Sequence, residues 1–207
     1  MRQAGAFSRK LMRHGLQSGC ANFSHPFLPS VTVRIPDGDA GVTQTIRYMK
    51  ALVRGPKGVG SWVVQAKAKE AVRGVERGQN EIDSVFQWVL DHIEFRGEYG
   101  ETLQSPEATI NLGAGDCDCQ AILTAALLEV NGFETDFKTV AMRDSAGEFS
   151  HVYGVVKGGQ WLPVDTTVQA AYPGWEPPEA VRARTYGVMR PPQNGGLIGA
   201  LLGMFRR

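Results

Sequence analysis

The run GAGDCDCQAILTAALLEVNGF, Gly113 to Phe133, constrains the fold more than any other part of the chain. From about Cys117 to Val130 it is apolar on most sides, so a helix there has to be buried among other elements. Asn131-Gly132 supplies its stop signal. At its start a glycine-rich loop delivers Cys117 to the helix N-terminus. A thiol in that position feels the positive end of the helix dipole and unpaired backbone N–H groups, which favour thiolate over thiol.

Helical signals precede this run and strand signals follow it. Thr43 to Val53 places Ile46, Met49 and Val53 on one face, and Gly55 to Gly58 breaks the pattern. Ser61 is a cap for a second helix ending near Val75. Asn80 with Asp83 resembles a capping box for a third, whose stripe is Ile82, Val85, Phe86, Val89 and Ile93. A loop from about Arg96 to Gly115 leads to Cys117. Strands are expected at Thr135–Ala141, Phe149–Val156 and Gln160–Val164, with a short edge strand at Ser30–Ile35. Helices first and strands later give an α+β fold, with the buried cysteine helix packed on a small antiparallel sheet. The expected organisation is a basic arm over 1–40, a core over 41–170, and a proline-rich wrap with an apolar tail over 171–207.

The formal net charge of +1 argues against a dedicated nucleic-acid binder. Charge is uneven: no acidic residue precedes Asp37, while Arg2, Arg9, Lys10, Arg13 and Arg34 are basic. A solvated terminus is the simpler explanation of that arm, and contact with an acidic partner the alternative. Three cysteines, Cys20, Cys117 and Cys119, are too few for a disulfide framework. The longest apolar run, Leu197 to Phe205, is far short of the roughly 20 residues that span a bilayer. No secretory h-region follows the basic start. These features together point to the cytoplasm.

A histidine and an aspartate complete a chemical set. FSHVYGVV carries His151 and WLPVDTT carries Asp165. A three-residue loop of Lys157, Gly158 and Gly159 would pair Val156 with Gln160, and so His151 with Asp165 on one face. A two-residue loop would put them on opposite faces. Cysteine, histidine and aspartate in that order suit thiol-based acyl transfer: Cys117 as nucleophile, His151 as base, Asp165 to orient it. The Cys117 backbone N–H is a natural oxyanion donor, with Gln104 and Trp88 as candidates for a second. Tyr153 and Trp161 are candidates for a substrate groove, although core packing explains them as well.

Each residue also has a plainer explanation. A cysteine beside an apolar helix is commonly a small buried hydrophobe, and an aspartate near a strand end commonly caps a turn. Cys117 and Cys119 could form a redox pair, but the usual redox spacing is C-x-x-C. A metal site would call for a second pair of ligands, and none is visible, so neither metal nor cofactor is expected. Cys119, two residues into the helix, reads as a packing residue. Asp116 and Asp118 suit the helix dipole.

These motifs resemble those of the transglutaminase-like superfamily, relatives of papain-like cysteine peptidases. The resemblance rests on GAGDCDCQAILTAALLEVNGF, SHVYGVV and GGQWLPVDTT, and spans about residues 42–167. It implies that Cys117, His151 and Asp165 fall on nucleophile, base and orienting acid. EIDSVFQWVLDHIEF and ETLQSPEATINLGAGDCD are similar to the lead-in of small members carried by tailed bacteriophages and prophages. Those members often have two acids after the nucleophile; here Cys119 takes the place of the second. The implied activity is cysteine-dependent acyl transfer on an amide of a protein or peptide, with peptidase or amidase favoured over crosslinking. The alternative is a latent or non-catalytic assembly protein. It would dock to a phage structural partner through arm and tail, in host cytoplasm or virion.

Overall fold

The computed structural model describes residues 20–22, 32–97 and 102–186. Most of the basic arm and the whole apolar tail lie outside these residues. Two short strands, β1 (Cys20–Asn22) and β2 (Thr32–Arg34), pair antiparallel where an edge strand was expected.

Three helices then build one side of the core: α1 (Gly38–Arg54), α2 (Trp62–Ala71) and α3 (Gln79–His92). The expected stripe of α3 is buried throughout, from Ile82 to Ile93. Its cap differs from the expected one. Gly78 is the N-cap, and the Glu81 side chain reaches back to accept the Gly78 N–H at 3.1 Å. Asn80 and Asp83 therefore lie inside the helix, where Asp83 accepts from Gln79 instead.

The segment expected to be a bare loop before Cys117 holds a helix, α4 (Pro106–Leu112). Ser105 caps it by accepting the Ala108 N–H, Pro106 opens it, and Gly113 closes it with φ +64°, a left-handed conformation suited to glycine. On either side of α4, β3 (Glu94–Phe95) and β4 (Ala114–Gly115) pair in parallel. This small ladder ties the end of α3 to the approach of α5 (Cys117–Val130). Buried positions run through α5 from Asp118 to Leu128. It packs against α1, α2, α3 and α4 and against the sheet, which is why its apolar surface is nearly all round.

The sheet has four antiparallel strands in the order β7-β6-β5-β8: β5 (Thr135–Met142), β6 (His151–Lys157), β7 (Trp161–Val164) and β8 (Ala180–Thr185). The fourth strand comes from the segment expected to wrap the surface; Ala180–Thr185 pairs with β5. Phe137, Ala141, Val152, Val156 and Val164 belong to the helical core. Val140, Met142, Tyr153 and Val155 form a second cluster with Trp161 and Ala180. The two sets alternate along the strands, as a sheet buried on both faces requires. Among the described residues, no helix is long and apolar enough to cross a membrane.

Candidate active site

Asp116 sets the start of α5. Its carboxylate accepts the Cys119 N–H at 3.1 Å, which satisfies one of the orphan donors of the first turn. Cys117 is the first helical residue and is partly buried. Gly115 allows the close approach behind it: a Cβ added there would lie 2.7 Å from the Cys119 Cβ and 3.3 Å from Thr109 Cγ2.

The hairpin joining β6 and β7 has three residues, but they are Gly158, Gly159 and Gln160. Lys157 pairs with Trp161 and Val156 with Leu162. The register is therefore two residues out from the expected one, and His151 and Asp165 are diagonal rather than directly opposed. A shift of two keeps the face, since side chains alternate with period two. The His151 Nε2 meets the Asp165 Oδ2 at 2.7 Å. Asp165 lies one residue beyond β7, with its side chain fully buried. Its Oδ1 accepts from the Thr167 N–H at 3.1 Å and from Thr167 Oγ1 at 2.6 Å, an Asx turn that fixes the carboxylate.

Burial by itself would lower the basicity of His151. The Asp165 charge and hydrogen bond, with a further push from Asp118, overcome this and hold its pKa above the ordinary histidine value. Burial likewise works to raise the Asp165 carboxyl, but the His151 charge and the bonds from His151 and Thr167 hold it below the ordinary range. Because an ionised carboxylate only accepts, Nε2 carries the proton of this bond and Nδ1 is the other ring nitrogen.

Helix α5 runs along β6. The Ala121 carbonyl lies 4.0 Å from where a Gly154 Cβ would sit. Three residues earlier on each element, the Asp118 charge reaches His151. Asp118 is also beside Cys117, whose thiol donates to its Oδ1 at 3.8 Å. Cys119 points elsewhere. It is wholly buried, donates to the Thr102 carbonyl and accepts the Gln104 N–H, both at 3.4 Å. Burial, with the charges of Asp116 and Asp118, raises its thiol well above the ordinary cysteine value.

The remaining candidates separate. Gln104 is held next to the start of α5 by that Cys119 bond, and its Oε1 accepts from Thr109 Oγ1 at 3.2 Å. Trp88 stacks on His92 at 4.4 Å, and its charged neighbour is Glu70 on α2. Tyr153 is 1% exposed in the second cluster, with its ring 5.7 Å from that of His151. Trp161 stands at the hairpin end beside Lys157, four residues and about 13 Å along the strand from Asp165. Neither aromatic is an open groove wall next to the histidine: burial accounts for Tyr153, and position for Trp161. No group of three or more potential metal ligands occurs among the described residues.

Two features were missed in the sequence. Ser105-Pro106 with Gly113 is a complete start-and-stop signature for α4, and Asp165-Thr166-Thr167 is an Asx-turn signature. That the Asp118 charge bears on His151 had no signal, since it depends on how α5 lies along β6.

Residues 65–166, just under half of the chain, match the profile of the Transglutaminase-like superfamily. The matched stretch runs from α2 to just beyond β7 and takes in Cys117, His151 and Asp165. Two solved structures are similar. One, described as a "Putative Cysteine Protease" from Cytophaga hutchinsonii, is 18% identical over 68% of this chain and 51% of its own, with a TM-score of 0.47. The other, described as a "Putative Protease" from Parabacteroides distasonis ATCC 8503, is 10% identical over 74% of this chain and 36% of its own, with a TM-score of 0.49. The chain thus spans about half the length of the first and about a third of the second. No curated protein matches.

Proposed function

We propose that this protein is a cysteine-dependent acyl-transfer enzyme acting on an amide, with Cys117 as nucleophile, His151 as general base and acid, and Asp165 as the orienting carboxylate. The observation that carries this is the 2.7 Å bond from His151 Nε2 to a buried carboxylate that Thr167 holds in place. It commits one ring nitrogen and leaves Nδ1 to serve the thiol. Asp118, which bears on both Cys117 and His151, supports their sharing one site.

In the first step the Cys117 Sγ–H proton passes to His151 Nδ1 and the sulfur bonds to the amide carbon. The carbonyl π pair moves to oxygen, where the Cys117 backbone N–H and the Gln104 amide NH₂ are the proposed donors. Collapse breaks the C–N bond, and the amine leaves with the proton from His151. Water or a lysine amine then attacks the thioester, giving its proton to His151, and the thiolate is released. Hydrolysis is the proposed outcome, with a protein or peptidoglycan peptide as substrate.

The test is direct. An activated acyl ester should leave an acyl group on Cys117, located by peptide mass spectrometry, and Cys117→Ala should abolish it. Acylation that persists in that variant, or that falls on Cys119, would reject the assignment.

A further inference from the structure

Asp118 has no task in the steps above, yet it is among the most enclosed charged groups near the cysteine, at 4% exposure. A carboxylate in the first turn of a helix would serve the dipole as well from solvent. Its neighbour Asp116 already caps the turn. What distinguishes Asp118 is its surroundings. The Cys117 thiol donates to its Oδ1 at 3.8 Å, and its charge adds to that of Asp165 at the imidazole.

We propose that Asp118 is a positioning residue that sets the pH window of the Cys117–His151 pair, docking the Cys117 S–H in the resting site and keeping a fixed negative charge beside the imidazole. This rests on the acyl-transfer assignment above. A coupled thiol and imidazole lose their protons in two steps: thiol with imidazolium gives the ion pair, and the ion pair gives thiolate with neutral imidazole. Each step leaves the site one unit more negative. A fixed anion opposes both, so both limbs of the reactivity profile move to higher pH.

The other ionisable groups around the pair act unequally. Of the pair, Asp165 bonds the imidazole and so bears mainly on the second step. Asp116 is tied to the Cys119 N–H, and Cys119 itself stays a neutral thiol. Tyr153, beside His151, is held neutral by burial together with the charges of Glu176 and Asp165. The 102–104 segment brings the backbone groups of Thr102 and Gln104 to Cys119. Asp118 is therefore the charge placed to move both limbs together.

The experiment is the rate of Cys117 alkylation by iodoacetamide against pH, read on the Cys117 peptide in the full chain. Asp118→Asn keeps the shape and an oxygen for the S–H but removes the charge. Both limbs should move to lower pH by about 1 unit. Limbs that stay in place overturn the proposal, as does movement of the upper limb alone. Asp118→Ser repeats the test if the amide variant fails to fold, and must give the same shift. His151→Ala separates the two levels. If it leaves the wild-type profile unchanged, the acyl-transfer assignment fails and this proposal with it. If it erases the low-pH limb while Asp118→Asn moves nothing, only the role of Asp118 falls.

Discussion

Replacing Asp165 by asparagine tests how the histidine is held, because the two carboxylate oxygens have different obligations. Oδ1 accepts from the Thr167 N–H and hydroxyl, and Oδ2 meets His151 Nε2 at 2.7 Å. An amide has one oxygen and one NH₂. The Thr167 backbone N–H cannot reverse, so the amide oxygen has to stay there and the NH₂ faces His151. Nε2 must then accept, which moves the imidazole proton to Nδ1, the nitrogen assigned to Cys117. The fold should survive: the side chain is fully buried, but each polar atom finds a partner, so the loss is about 1–3 kcal/mol. Acyl-enzyme formation should fall by about 10⁴-fold, the size of effect expected when a base is locked in the wrong tautomer. Stopped-flow acylation with an activated ester gives the rate, and nitrogen NMR of the His151 ring gives the tautomer. A variant with the proton on Nδ1 and acylation within a few-fold of wild type would refute the reasoning.

Three further outcomes follow from the same structure. Lys50 and Asp136 form a buried pair at 2.7 Å, so Lys50→Met should strand the carboxylate and cost about 3–5 kcal/mol in urea unfolding at neutral pH, and less once Asp136 is protonated. Gly115→Ala should cost about 1–3 kcal/mol and slow Cys117 alkylation, because its Cβ meets the backbone-anchored Cys119 Cβ at 2.7 Å; unchanged stability would show that β4 and α5 can part freely. The folded pKa of His151 is raised, so its stabilisation is complete below the unfolded value near 6.5 and is lost as pH rises through the folded value. Asp165 is lowered and contributes above about 3.9, losing this as pH falls. Melting temperatures should decline on both sides of that window, and His151→Ala should remove the alkaline decline.

Much of this was legible in the sequence for a simple reason. The stripe of α3, the all-round apolarity of α5 and the β signals of 135–164 are strong local patterns set by burial. The hairpin count reached the correct face for His151 and Asp165 but the wrong register. Loop length fixes parity, whereas the exact pairing depends on where Lys157 leaves the sheet. β8 was hidden because Ala180–Thr185 is mostly exposed and lacks an apolar pattern; β5 recruits it through backbone hydrogen bonds. Trp161 looked close to Asp165 in sequence, but an extended strand carries four residues a long way. The neighbours of Asp118 come from two elements and are visible only once α5 is laid along β6.

The central claim is that Cys117 is activated by His151. The most direct measurement is the alkylation rate of Cys117 at pH 6 and at pH 9 in wild type and in His151→Ala. Activation predicts a large loss at pH 6, where an unassisted thiol with a pKa of about 8.5 is protonated, and little change at pH 9. Equal rates in the two proteins at pH 6 would contradict it.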